Sequence, residues 1–172
     1  MTKKLIFAAL FSVLAIASAA AQNKTDNFLG TWKLTKTEGV SKSSTIRSIV
    51  LNISQTGDDL QIERNTQGTF ANQIYSRTKN DLYNIKDPAT VGLIAGRMGG
   101  TVRHELRVLS ARKLRFDTLL DKDYGTTANR ELWIVSDDGK TLTIETSSRF
   151  SSKTAPENSG GGISSKMFFS KQ

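Results

Sequence analysis

The chain has 172 residues, and among them there is no cysteine, a single histidine and only two prolines. Without cysteine there is no disulfide, no thiolate-built zinc or iron–sulfur centre and no cysteine nucleophile. One histidine, His104, cannot by itself assemble a histidine metal site. Long apolar runs are equally scarce: only residues 5–17 form one, and it falls short of the ~20 residues that span a bilayer. No Gly-x-x-x-x-Gly-Lys-Ser/Thr phosphate loop and no Gly-x-Ser-x-Gly nucleophile elbow occurs. No catalytic residue, metal site or cofactor is expected from these absences.

The one apolar run carries its own meaning. Lys3 and Lys4 precede it, and Ser18-Ala19-Ala20-Ala21 closes it with small residues at the −3 and −1 positions of a cleavage site. Residues 1–21 therefore read as an export signal, and the mature chain as periplasmic or secreted. With no cysteine at the cleavage site, a lipoprotein is not expected. Lys and Arg number 24 against 16 Asp and Glu; removing Lys3 and Lys4 leaves 22 against 16. Such a basic balance suits anionic partners, and equally suits plain solubility.

After a polar leader at 22–28, expected to be flexible, the pattern turns to period-2 alternation broken by turn residues. Strands are predicted at 29–37, 45–54 and 60–65, with Gln55-Thr56-Gly57-Asp58-Asp59 as a hairpin turn. Two weaker strands are predicted at 68–76 and 82–86, turning at Lys79-Asn80-Asp81. The segment 101–109 alternates Val102, His104, Leu106 and Val108 against Arg103, Glu105 and Arg107. Residues 114–120 follow suit, and 126–136 and 141–150 make a hairpin around Asp137-Asp138-Gly139-Lys140. Residues 163–171 form the last strand.

The reading is all-β: one domain over 29–172, a single antiparallel up-and-down β-barrel of about eight strands, expected to be a monomer. The stretch 87–100 departs from the rhythm. Asp87-Pro88 suits a helix start, and the greasy residues beyond suit a plug in one end of the core or, alternatively, a lid over a lumen.

Leu29-Gly30-Thr31-Trp32-Lys33-Leu34, Ile53-Ser54-Gln55-Thr56-Gly57-Asp58-Asp59-Leu60 and the run from Arg130 to Thr143 resemble small exported lipocalin-like domains. Asp123-Tyr124 is similar to the Asp-Tyr turn of lipocalins. The resemblance implies that Gly30 and Trp32 open the first strand and that the tryptophan packs across the closed end. It also implies an arginine near the last strand lying over that tryptophan; no arginine follows Arg149, and Arg130 and Lys166 are the stand-ins.

The leading functional expectation is non-catalytic binding of a small, largely apolar molecule in the lumen, with His104, Leu106, Phe116 and Thr118 as ligand-contacting residues. An eight-stranded barrel either fills with side chains or holds one small ligand. A second reading is an inhibitor of an exported enzyme, acting through the leader; a third is an enzyme using His104. The pairs Asp58/Asp59, Asp137/Asp138 and Asp121/Asp123 sit in turns, where backbone chemistry accounts for them better than glycosidase-type chemistry does. Arg103, Arg107 and Arg115 share an outward face that suits an anionic envelope component or simply solvent. No aromatic residue interleaves them, so nucleic acid is not an expected partner. Trp133 and Val135, alternating with Leu132 and Ile134, make one strand apolar on both faces, which calls for cover on the outer side by the 87–100 segment or a terminal segment, or else makes Trp133 a contact surface.

Overall fold

The structure is a computed structural model that describes residues 24–39, 44–71, 73–87, 89–93, 100–153 and 162–172. The predicted signal at 1–21 lies outside them. Ten strands run in chain order: β1 Gly30–Glu38, β2 Ser44–Thr56, β3 Asp59–Phe70, β4 Gln73–Asn84, β5 Ala89–Leu93, β6 Thr101–Ser110, β7 Lys113–Lys122, β8 Gly125–Val135, β9 Thr141–Ser152 and β10 Gly162–Lys171. All pair antiparallel in one sheet ordered β4-β3-β2-β1-β10-β9-β8-β7-β6-β5. Each strand pairs with its sequence neighbour except where β1 meets β10 and where no ladder joins β4 to β5. The sheet curls until β4 lies alongside β6, and side chains on its inner face meet across the interior. The architecture is thus the expected antiparallel up-and-down one, with ten strands rather than about eight.

Two differences in strand layout have plain causes. Residues 79–81 do not turn. Lys79, Asn80 and Asp81 sit mid-strand in β4, in register with Arg64, Glu63 and Ile62. Within the strand, Lys79 and Asp81 form an ion pair at 2.9 Å. The actual reversal comes at Ala71, a non-glycine residue at φ 48. Ala89–Leu93, expected to follow a helix start, is instead an edge strand paired with β6 from Ala89↔Glu105 to Leu93↔Thr101. The plug or lid expected further along falls largely on 94–99, outside the described residues.

The tight turns follow their chemistry. Gly57 (φ 60) and Gly139 (φ 70) take left-handed angles in the β2–β3 and β8–β9 turns. In the second turn, Asp138 accepts from Ser136 Oγ (2.6 Å) and from the Lys140 N–H (3.0 Å), a local bond that aspartate favours.

One end of the barrel is closed by large side chains. Phe28, Trp32, Leu51, Leu60, Leu114, Trp133, Leu142, Ile144 and Phe169 are almost wholly buried and belong to one core. Fully burying each is worth about 1.5–3 kcal/mol, more for the aromatics. The expected flexible leader does not hold for its described part. Asp26–Phe28 form one 3₁₀ turn, Thr25 and Phe28 are buried, and Trp32 Nε1 donates to the Phe28 carbonyl at 2.8 Å. An aromatic ring placed three residues after Thr25 has core to reach, so the packed domain starts before Leu29.

Gly68 marks a close approach between β2 and β3. A β-carbon there would lie 2.6 Å from the Thr45 carbonyl oxygen and 2.7 Å from the Tyr75 hydroxyl. The Gly68→Ala variant is expected to lose about 1–3 kcal/mol of stability, since backbone must move to admit one methyl. Urea unfolding of the variant beside the parent checks this; equal midpoints would show that the strands part freely.

Candidate interior binding site

Alternation along β3 puts Leu60, Ile62 and Arg64 on the inner face, and along β8 it puts Glu131, Trp133 and Val135 there. Leucine, isoleucine, tryptophan and valine fill the closed end. Arg64 and Glu131 stand above them and meet across the barrel as a two-pronged pair, Nη1–Oε1 3.3 Å and Nη2–Oε2 2.9 Å. Trp133 Nε1 adds a third hydrogen bond to Glu131 Oε2 at 2.8 Å, and the guanidinium lies 5.9 Å from the Trp133 ring centroid. Burial alone would raise the Glu131 carboxyl, but the Arg64 charge and these hydrogen bonds outweigh it and hold the group below the usual range. Burial likewise works against the Arg64 charge, and Glu131 more than restores it.

Beneath the pair lies an aromatic floor. Tyr83 meets Phe116 edge-on at 4.9 Å and 61°, and Phe116 meets Trp133 at 4.8 Å and 52°. Burial, with Asp81 and Glu131 nearby, pushes the Tyr83 phenol far up, so it stays neutral. Above the floor is a cavity of about 250 Å³, walled by Ile62, Tyr83, Phe116 and Trp133 on the apolar side. Its polar side is Arg64, Lys79, Asp81, His104, Thr118, Asn129, Glu131 and Thr146. A second cavity of about 350 Å³, walled by Arg64, Thr66, Tyr75, Arg77 and Lys79, shares Arg64 and Lys79 with the first. Among the cavity-lining groups, Arg64 Nε and Thr146 Oγ1 are buried and have no hydrogen-bond partner.

Of the residues expected to contact a ligand, three line this cavity. His104 Nδ1 is 3.0 Å from Thr118 Oγ1, and Phe116 forms part of the floor. Leu106 is buried in the packed core instead. Burial chiefly, then Lys79, lowers the His104 pKa against the opposing pull of Asp81, so the ring is neutral near pH 7. Its observed partner is a hydroxyl, not a carboxylate.

Gly30 (φ 113) and Trp32 open β1 as expected, and a β-carbon on Gly30 would lie 3.3 Å from Lys171 Cε. The cation over Trp32 is Lys171, at 5.2 Å from the ring centroid. Arg130, expected as its stand-in, points outward to Asp117 (2.8 Å), and Lys166 pairs with Glu145 (2.7 Å). Register explains the exchange: Trp32 lies directly opposite Lys171, whereas Arg130 is three strands away along the sheet. Trp133 faces the interior and is buried, while its neighbours Leu132 and Ile134 are half-buried on the outer side.

Sequence reasoning did not single out Arg64, Glu131, Lys79, Asp81, Tyr83 or Thr146. A signal existed for two of them. Arg64 continues the Leu60, Ile62 alternation and Glu131 precedes Trp133 and Val135 on theirs, so each is a charge at an inward-facing position.

No protein-family model matches the chain, and no curated protein matches it. Among solved structures the chain is similar to a Schistosoma mansoni fatty acid binding protein in complex with arachidonic acid: 14% identity, TM-score 0.48, covering 87% of this chain and 98% of that one.

Proposed function

We propose that this protein is an exported, non-catalytic binder of the lipocalin-like kind that holds a small, largely apolar molecule with a polar end in the barrel interior. The observation that carries the reading is the cavity between the aromatic floor and the Arg64–Glu131 pair, with two buried polar atoms left unpartnered on its lining side chains. Buried polar groups in proteins almost always find partners, so such atoms point to water or a ligand atom. The apolar part of the molecule packs on Tyr83, Phe116 and Trp133. The polar end faces Lys79, Asp81, His104 and Asn129. At about 250 Å³ the space lies just under the ~300–1,000 Å³ usual for drug-sized ligands. A longer molecule extends past Arg64 and Lys79 into the second cavity.

The inhibitor reading loses support because Thr25 and Phe28 of the leader are packed into the domain rather than presented to a target. The enzyme reading loses support because, among the described residues, the hydrogen-bond partner of the His104 ring is the Thr118 hydroxyl and not a carboxylate.

The test is titration with 1-anilinonaphthalene-8-sulfonate, an apolar dye with one anionic group, followed by its fluorescence. Thr146→Phe fills the cavity and sacrifices no hydrogen bond, because the hydroxyl has none. The expected result is a loss of affinity of about tenfold or more, roughly 1.4 kcal/mol, with the unfolding midpoint preserved. Unchanged affinity in the folded variant would place the dye elsewhere and overturn the reading.

A further inference from the structure

The outer wall of the barrel carries a groove of about 690 Å³ on β6 to β9, which shares Thr118 and Asn129 of the intervening wall with the interior cavity. Its charges are set out in an unusual way. Arg107 lies directly opposite Arg115, and Glu105 directly opposite Asp117. Like charges in direct cross-strand register are destabilising. The face lives with them because each acid serves two guanidinium groups. Glu105 takes Arg107 at 2.5 Å and Arg103 at 3.8 Å, and Asp117 takes Arg115 at 2.7 Å and Arg130 at 2.8 Å.

Two acids thus hold four arginines in place, and a fifth, Arg149, has no ion pair among the described residues. The groove keeps a surplus of three positive charges. Arg103, Arg107 and Arg130 each leave more than half of the side chain in solvent, at 57%, 52% and 57%. A guanidinium has five N–H donors in a planar fork, so one carboxylate does not use them all. The bottom of the groove is small: Ala128 stands opposite Arg149, and Ser147 opposite Arg130. Arg130 and Arg149 are therefore diagonal cross-strand neighbours, about 7–8 Å apart at the backbone, flanking a shallow floor.

We propose that this groove is a binding site for an anionic polysaccharide, one whose sugars carry sulfate, phosphate or carboxylate groups. Arginine forks match oxyanions two bonds at a time, and the Ser147 hydroxyl suits a sugar hydroxyl. No aromatic side chain lines the groove, so nucleobases have nothing to stack on. Leu119, 42% exposed, is the single large apolar side chain in the groove lining, and one such side chain is not the apolar face that a membrane surface would need.

The experiment is calorimetric titration of the full folded protein with a heparin oligosaccharide (sulfated), polygalacturonate (carboxylated) and neutral dextran, at low and high salt. One or both anionic glycans bind, dextran does not, and affinity falls as the Debye length shrinks from ~10 Å at 0.1 M to ~3 Å at 1 M ionic strength. The double variant Arg130→Ser/Arg149→Ser loses about tenfold or more in affinity. A control, Lys86→Ser/Lys140→Ser, removes the same charge near the closed end and stays within about twofold of the parent. Arg149→Glu alone, at a position with no ion pair to lose, gives the same direction of effect should the double variant be poorly folded. Equal losses in groove and control variants would reduce the effect to bulk charge and overturn the proposal. So would failure of both anionic glycans to bind, or tighter binding of single-stranded oligo-dT or phosphatidylglycerol vesicles through the same arginines.

Discussion

Glu131→Ala is expected to lower unfolding free energy by about 3 kcal/mol. Removing one partner of a buried ion pair typically costs ~3–5 kcal/mol, because the other charge is left desolvated. The low end applies because Arg64 and Glu131 keep 23% and 25% of their side-chain surface exposed. The loss has a second source: the Trp133 N–H, bonded to Glu131 at 2.8 Å, is orphaned on a buried ring. Replacing both charges with apolar side chains, as in Arg64→Met/Glu131→Leu, is expected to recover most of the loss, since pairs of this kind contribute little net stability over hydrophobic replacements. Guanidinium melts of the single and double variants decide it; a double variant as weak as the single would mean that the pair itself holds the sheet curled.

Acid acts on the same bond. The folded-state pKa of Glu131 lies below its ordinary value, so the contribution is full above the unfolded value of ~4.3 and disappears as pH falls through the lower folded-state value. The parent is expected to lose stability across that acidic window, and Glu131→Ala to lose less of it. Parallel pH-dependent melts would show whether the two curves converge.

The second large effect belongs to Trp32. Truncating it to alanine is expected to cost about 3–5 kcal/mol, the range for deleting a large buried aromatic. The ring is wholly buried, its N–H holds the Phe28 carbonyl, and Phe28 in turn caps the end of the barrel. Lys171→Ala is expected to cost under about 1 kcal/mol, the scale of an exposed cation–π contact. The ratio of the two losses, read from urea unfolding, tests whether Trp32 works by packing or through the cation above it. Comparable losses would favour the cation.

How far the fold could be read from residues depended on whether local pattern and tertiary partner agreed. In β6 to β9 they did: His104 and Leu106 alternate with Arg103 and Arg107, and the Asp-Gly turn at 138–139 supplies its own angles. In β4 they did not. Lys79-Asn80-Asp81 has turn chemistry, and only the facing strand β3, with Arg64 and Glu131 behind it, makes those polar side chains comfortable mid-strand. The reversal at Ala71 has no glycine or Asn-Gly to announce it. The interior site was legible by halves. Phe116, Thr118 and His104 follow from alternation, but the Arg64–Glu131 pair joins residues 67 apart, and nothing in either strand names the other. Lys171 over Trp32 was out of reach for the same reason, since it depends on the first strand lying beside the last.

That last pairing bears on how the chain must fold. Thr35 Oγ1 donates to the Phe168 carbonyl across 133 residues, and the Gln172 N–H closes onto the Thr31 carbonyl. The seam between β1 and β10 therefore forms only when the final residues are available, so β1 keeps one edge unpaired until then. Contacts so distant in sequence belong to slow folders, in the millisecond-to-second range typical of β topologies. Until the seam is sewn, β1 stays an open template for any other extended chain, and the ten residues of β10 act as its built-in guard.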